Sequence, residues 1–127
     1  WRPSAGTRSV REVFLHVASD NYFIPIGMGK PAPEASGITS DMKSVGAYEK
    51  RNLSKEQIVA ELEASYKHLH QGMALTTDAN ASESIKFFGQ DWTRMRAMTL
   101  TVTHLHEHLG QAIAYARSNN VVPPWSQ

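Results

Sequence analysis

The sequence predicts an all-α protein, because three long segments carry apolar residues at helical spacing and two of them begin with a capping box. The first helix is predicted over residues 9–26, where Ser9 and Glu12 form the capping box. The second is predicted over residues 55–75 and begins with the same kind of motif. Three helices bury less apolar surface than four, so we expect a fourth helix from an upstream segment or from a partner chain.

The third helix is predicted over residues 92–118, with Asp91 or Thr93 as its N-cap. Its end is marked by Asn119 and the prolines that follow. We take its apolar stripe as the face that packs into the core. The stripe consists of Met95, Met98, Val102, Leu105, Leu109, Ala112 and Ala116.

The connections between these helices predict little regular structure. Residues 29–52 are rich in Gly, Pro, Ala and Ser and predict a long connection, with a short helical turn near Met42–Tyr48. A connection of this length often covers a functional site. Residues 85–88 fit a short extended piece, but it is too isolated to predict a sheet.

Composition bounds the class of protein. The chain of 127 residues suits one domain, residues 1–127, and is 41% hydrophobic and 20% charged. A net charge of +1 without a run of Lys or Arg argues against a nucleic-acid partner, and no apolar stretch predicts a membrane span. The chain has no cysteine, so a metal must be held by His, Asp, Glu or water. We expect a cytoplasmic protein by default, with a processed exported form as the alternative.

Histidines near the end of the chain stand out by their spacing. At about 100° per residue, His104 and His108 lie one above the other on one face of the third helix, whereas His106 points away from both. Such a pair can supply two imidazole nitrogens to one metal ion, although it is more often surface decoration.

His16 occupies the corresponding edge of the first helix, so packing of the two helices could complete a set of three imidazoles. Three neutral imidazoles suit Zn, Ni, Fe or Cu better than Mg or Ca, and they leave positions open for water or substrate. The alternative for His16 is an ordinary core histidine. Asp20, one turn later, could bind the metal, orient a ligand imidazole or be a solvated charge.

Two blocks of sequence, one near each end, carry a resemblance to a known family. The first contains Trp1-Arg2-Pro3, Gly6, Arg8-Ser9-Val10-Arg11-Glu12-Val13, His16 and Asn21-Tyr22. The last contains His104 and His108-Leu109-Gly110-Gln111, Tyr115-Ala116-Arg117 and Val122-Pro123-Pro124-Trp125-Ser126. Together they resemble the terminal blocks of the DinB-like (YfiT-like) metalloenzyme superfamily, and the resemblance spans nearly the whole chain.

The resemblance implies a DinB/YfiT-like four-helix bundle, often a homodimer, in which three histidines hold one divalent transition metal. His16 matches the first ligand, His104 and His108 match the pair on the last helix, and His106 matches none. Zn or Ni is the metal we expect, with Fe or Mn as alternatives. Members carry a helix before the Trp-Arg-Pro block, so we expect that the natural protein has a further N-terminal helix that is missing from this sequence, or that this helix was cleaved.

Three functions remain open from the sequence. The first is a metal-dependent transferase that uses a low-molecular-weight thiol, as in the bacillithiol transferases and mycothiol-dependent isomerases of the family, with a metal-dependent hydrolase as its close variant. Asp20, Gln111 and Tyr115 are the candidates for orienting substrate or ligands. The second is a non-catalytic metal-binding or stress-response dimer, and the third is a plain interaction bundle with incidental histidines.

Overall fold

Four α-helices and one β-hairpin make up the fold in the computed structural model, which describes residues 1–126. The helices are α1 (Val10–Gly27), α2 (Met42–Glu49), α3 (Lys55–Met73) and α4 (Arg94–Ser118). The hairpin strands are β1 (Ser84–Phe87) and β2 (Gln90–Thr93), and short 3-10 turns lie at Glu34–Ser36 and Pro124–Ser126. No helix within residues 1–126 is both long and apolar enough to cross a bilayer.

Predicted N-caps are confirmed for all three long helices, with Thr93 and not Asp91 as the cap of α4. The Ser9 hydroxyl accepts from the backbone N–H of Glu12, and the Glu12 carboxylate accepts from that of Ser9, which completes the capping box of α1. The same reciprocal pair starts α3 at Ser54. Thr93 is the N-cap of α4, since its hydroxyl accepts from the backbone N–H of Arg96.

α1 is the central element, since the other three helices all pack against it. Its contact with α3 is the most extensive and includes a buried hydrogen bond from Asn21 Nδ2 to Ser65 Oγ at 3.2 Å. Gly72 of α3 lies directly against Pro25, where a Cβ atom would come within 2.5 Å of the proline ring. The small Gly72 therefore lets α3 lie close against α1, while α2 and α4 contact other faces of α1.

The β-hairpin contains the short extended piece expected at residues 85–88 and forms a sheet that the sequence did not predict. β1 and β2 pair antiparallel, with Phe87 opposite Gln90. The connecting residues Phe88 and Gly89 both have positive φ, at 50° and 73°, which fits a two-residue hairpin turn. The sequence did not signal this turn, because a bulky residue rarely occupies its first position. Trp92 and Thr93 are therefore in β2, and α4 begins at Arg94 rather than at residue 92.

The expected core face of α4 is wrong. The buried residues of α4 are Ala97, Thr101 and His108, whereas Val102 and Leu109 of the predicted stripe are 55% and 49% exposed. α4 therefore turns its small and polar line toward α1. Leu105, Leu109 and Ala112 of the stripe instead line a groove between α3 and α4, and this orientation places the paired histidines toward α1.

Candidate metal centre

Three histidine side chains converge where α4 crosses α1. Nε2 of His104 lies 3.2 Å from Nε2 of His16 and 3.1 Å from Nε2 of His108. One nitrogen from each ring can be chosen so that all three lie within 4.8 Å of one another. His106 lies outside this cluster, is exposed, and contacts the Val102 carbonyl through Nδ1. The structure thus brings together His16, His104 and His108, the three histidines that the sequence analysis selected. His106, which the sequence analysis excluded, lies apart from them.

The ring of His16 is held from its far side by Glu49, the last residue of α2. His16 Nδ1 lies 2.8 Å from Glu49 Oε1, and the Arg8 guanidinium donates to both carboxylate oxygens, at 2.9 and 3.1 Å. Because a carboxylate accepts, Nδ1 of a neutral His16 carries the proton and Nε2 presents its lone pair to the cluster. Burial lowers the pKa of His16, against the opposing effect of Asp20, and this favours the neutral imidazole that binds metals.

The ring of His108 is held by a chain of hydrogen bonds whose direction is fixed. The chain ends at the Arg8 carbonyl, which can only accept, so the Tyr115 hydroxyl donates to it at 2.9 Å. Gln111 Nε2 then donates to the Tyr115 oxygen at 3.3 Å, and Gln111 Oε1 faces His108 Nδ1 at 2.9 Å. His108 Nδ1 therefore donates, and its Nε2 also presents a lone pair to the cluster.

These two anchors give the cluster its chemistry. The Nε2 atoms of His16 and His108 both aim lone pairs at the space beside His104 Nε2. A proton on His104 Nε2 can be shared with only one of these lone pairs at a time, whereas a cation among the three nitrogens would satisfy all of them. His104 is the least restrained of the three, since its buried Nδ1 has no hydrogen-bond partner among the described residues. The arrangement is suited to a cation that prefers imidazole nitrogen.

Asp20 lies on the inner side of the cluster. Its Oδ2 is 3.0 Å from His104 Nε2 and 3.4 Å from His16 Nε2. The sequence placed Asp20 on the same side of α1 as His16, as ligand, orienting group or solvated charge. Its side chain is only 14% exposed, which argues against the solvated charge.

Glu49 and Arg8 are the residues that sequence reasoning missed as parts of the site. Glu49 ends a helix that the sequence predicted only as a short turn. Asp41 caps this helix, and the side chains of Val45 and Tyr48 fix its orientation by packing into the core beside α1. The helical spacing of Val45 and Tyr48 beside Glu49 could have indicated that Glu49 lies on a packed helix. Nothing in the sequence indicated that Glu49 contacts His16.

Comparison with known proteins agrees with the resemblance carried by the terminal blocks. The sequence profile of the DinB superfamily matches residues 1–112, which covers α1, α2, α3 and most of α4. No curated protein and no solved structure matches the chain. The match includes all three clustered histidines and extends over most of the sequence. This chain belongs to the DinB superfamily.

Proposed function

We propose that the protein binds one divalent transition-metal ion through Nε2 of His16, His104 and His108. The observation that carries this proposal is the pair of anchored rings, whose Nε2 lone pairs converge within hydrogen-bond distance of the third imidazole. An all-nitrogen set of this kind fits Zn or Ni best, with Fe or Mn as alternatives.

Metal analysis of protein purified without a histidine tag tests this proposal. We expect about one equivalent of a transition metal in the unmodified protein and a large loss in the variant that combines His104→Ala with His108→Ala. His106→Ala is the matched control, because it removes a histidine from the same turn of α4 whose ring lies outside the cluster. Equal metal contents in all three proteins would refute the site.

The activity that we propose is transfer of a low-molecular-weight thiol to an electrophile. The bound ion would supply positive charge that stabilises the deprotonated form of the thiol. Since the chain has no cysteine, the thiol must come from a cosubstrate. Glu49 and Gln111 hold two of the imidazoles in place, so the site does not have to reorganise when the thiol arrives.

Thiol consumption in the presence of a chromogenic electrophile tests this activity, with several low-molecular-weight thiols compared at equal concentration. Turnover that is abolished by a chelator and restored by one metal supports the transferase. A metal-dependent hydrolase would release product without any thiol. A non-catalytic metal-binding dimer would bind metal and show neither reaction.

The groove between α3 and α4 supports a proposal about the rest of the bundle. Three cavities of about 380, 150 and 610 Å³ follow one another along α1, and all are lined mainly by apolar side chains. We propose that the helix implied by the resemblance, from residues preceding Trp1, packs into this groove. We also propose that the protein is cytoplasmic and forms a homodimer through another surface. A chain that includes that helix should unfold at higher temperature. Light scattering would report whether it is a dimer.

A further inference from the structure

The geometry points to Asp20 as a fourth protein ligand of the metal centre, binding through Oδ2. This inference rests on the proposed metal site and goes beyond the three histidines. It concerns a residue on α1 one turn after His16, so one helix would supply two of the ligands.

The first argument is which nitrogen Asp20 contacts. Groups that orient a metal-bound imidazole contact the nitrogen that faces away from the metal. Glu49 and Gln111 do this, since both lie against Nδ1 atoms. Asp20 instead lies against the Nε2 atoms of His104 and His16, at 3.0 and 3.4 Å. It therefore occupies the position of a ligand and not that of an orienting group.

The second argument is charge. The Glu49 carboxylate is neutralised by the Arg8 guanidinium. The Asp20 carboxylate, at 14% side-chain exposure, makes no ion pair with Lys or Arg among residues 1–126, and it contacts instead the Nε2 atoms of His16 and His104. A largely buried carboxylate without a fixed cation is costly. A divalent ion among the Nε2 atoms would compensate it and leave the complete ligand set with one net positive charge.

This fourth ligand changes what the site is expected to bind and how a thiol reaches it. A carboxylate oxygen shifts the ligand set toward Zn, Fe or Mn and away from soft ions such as Cu(I). With four protein groups around the ion, a thiol cosubstrate must enter beside Asp20 or take its place. Asp20 would then control access to the site as well as metal affinity.

Substitution of Asp20 combined with cobalt spectroscopy tests the inference. Asp20→Asn keeps the shape and removes the charge, whereas Asp20→Glu keeps the charge on a longer stem. Glu49→Gln is the matched control for a carboxylate on the far nitrogen, and Asp91→Asn is the control for an exposed aspartate. Each protein is loaded with Co²⁺, whose visible absorption reports the number and kind of ligands, and Zn²⁺ affinity is measured by competition with a chromogenic chelator.

We expect Asp20→Asn to weaken Zn²⁺ binding by more than the about 10- to 100-fold typical of losing an orienting partner, and to change the Co²⁺ bands in position and intensity. Glu49→Gln should lower the affinity yet leave the bands in place, and Asp91→Asn should change neither. If Asp20→Glu recovers Zn²⁺ affinity, the loss in Asp20→Asn is due to the missing carboxylate and not to a damaged fold. Co²⁺ bands in Asp20→Asn that match those of the unmodified protein would overturn the inference while leaving the three-histidine site intact. If the unmodified protein binds neither ion, the proposed function fails with it.

Discussion

Glu49→Gln is expected to weaken zinc binding by about 10- to 100-fold, which corresponds to about 1.4–2.7 kcal/mol. Glu49 accepts a hydrogen bond from His16 Nδ1 at 2.8 Å while Arg8 holds both of its oxygens. A hydrogen bond to a charged group contributes about 1.5–3 kcal/mol, against about 1 kcal/mol for a neutral one. The glutamine amide keeps the shape of the side chain but forms only the weaker, neutral hydrogen bond. It also no longer increases the basicity of the bound imidazole. The hydrogen-bond difference of about 0.5–2 kcal/mol corresponds to about 2- to 30-fold in affinity, so the two estimates overlap at about tenfold.

Chelator competition at neutral pH measures this effect, and Glu12→Gln is its matched control. Glu12 and Glu49 are each 8% exposed, and each forms an ion pair with an arginine of the N-terminal segment. Glu12 contacts Ser9 and Lys50 rather than a histidine, so its substitution should leave zinc affinity unchanged. Equal affinity in Glu49→Gln and the unmodified protein would refute the role given to Glu49. An equal loss in Glu12→Gln would show that the effect arises from folding and not from the His16 contact.

Three further predictions follow from other contacts. Gln111→Leu should lower zinc affinity about tenfold in the same competition assay, because it removes the acceptor that holds His108 Nδ1. Gly27→Ala should reduce the free energy of unfolding by about 1–3 kcal/mol in urea, because its Cβ atom would lie 2.4 Å from the buried Phe87 ring. Burial lowers the pKa of His68, so the unfolded chain binds the proton more tightly and stability should fall as the pH drops below about 6.5. Urea midpoints between about pH 5 and 8 should show a flatter profile for His68→Phe.

The helices of this protein were predictable because their signals are local. Ser9, Ser54 and Thr93 each accept from a backbone N–H three residues later, so a few adjacent residues specify where a helix begins. The hairpin was not predictable in this way. Its turn places Phe88 in a conformation that bulky residues seldom adopt, and its stability comes from Phe87, which packs against buried residues of α1 and α4. Such contacts are distant in sequence.

The direction in which α4 faces shows the same limit. The stripe that includes Val102 and Leu109 has the spacing of a core face, yet it is the line through Thr101 and His108 that packs against α1. Periodicity identifies an apolar face but does not identify what covers it. The histidine trio was still predictable, since the spacing of His104 and His108 is local, and His16 was indicated by its place on the first helix as well as by the family resemblance. The partners on the far nitrogens could not be predicted, because Glu49 reaches His16 across 33 positions of the sequence.

Arg8 connects the most local feature of the sequence to the candidate metal centre. Its guanidinium holds Glu49, which in turn holds His16. Its carbonyl accepts the hydrogen bond from Tyr115, which sets the direction of the series of hydrogen bonds that ends at His108. The carbonyl is available because α1 is capped at Ser9, so that the first helical hydrogen bond, from Val13 N–H, goes to the Ser9 carbonyl. If the helix began one residue earlier, the carbonyl of Arg8 would accept within the helix and Tyr115 would have to compete for it. The capping box therefore does more than start α1, since it leaves one backbone group free to orient a metal-binding imidazole on a helix about a hundred residues away in sequence.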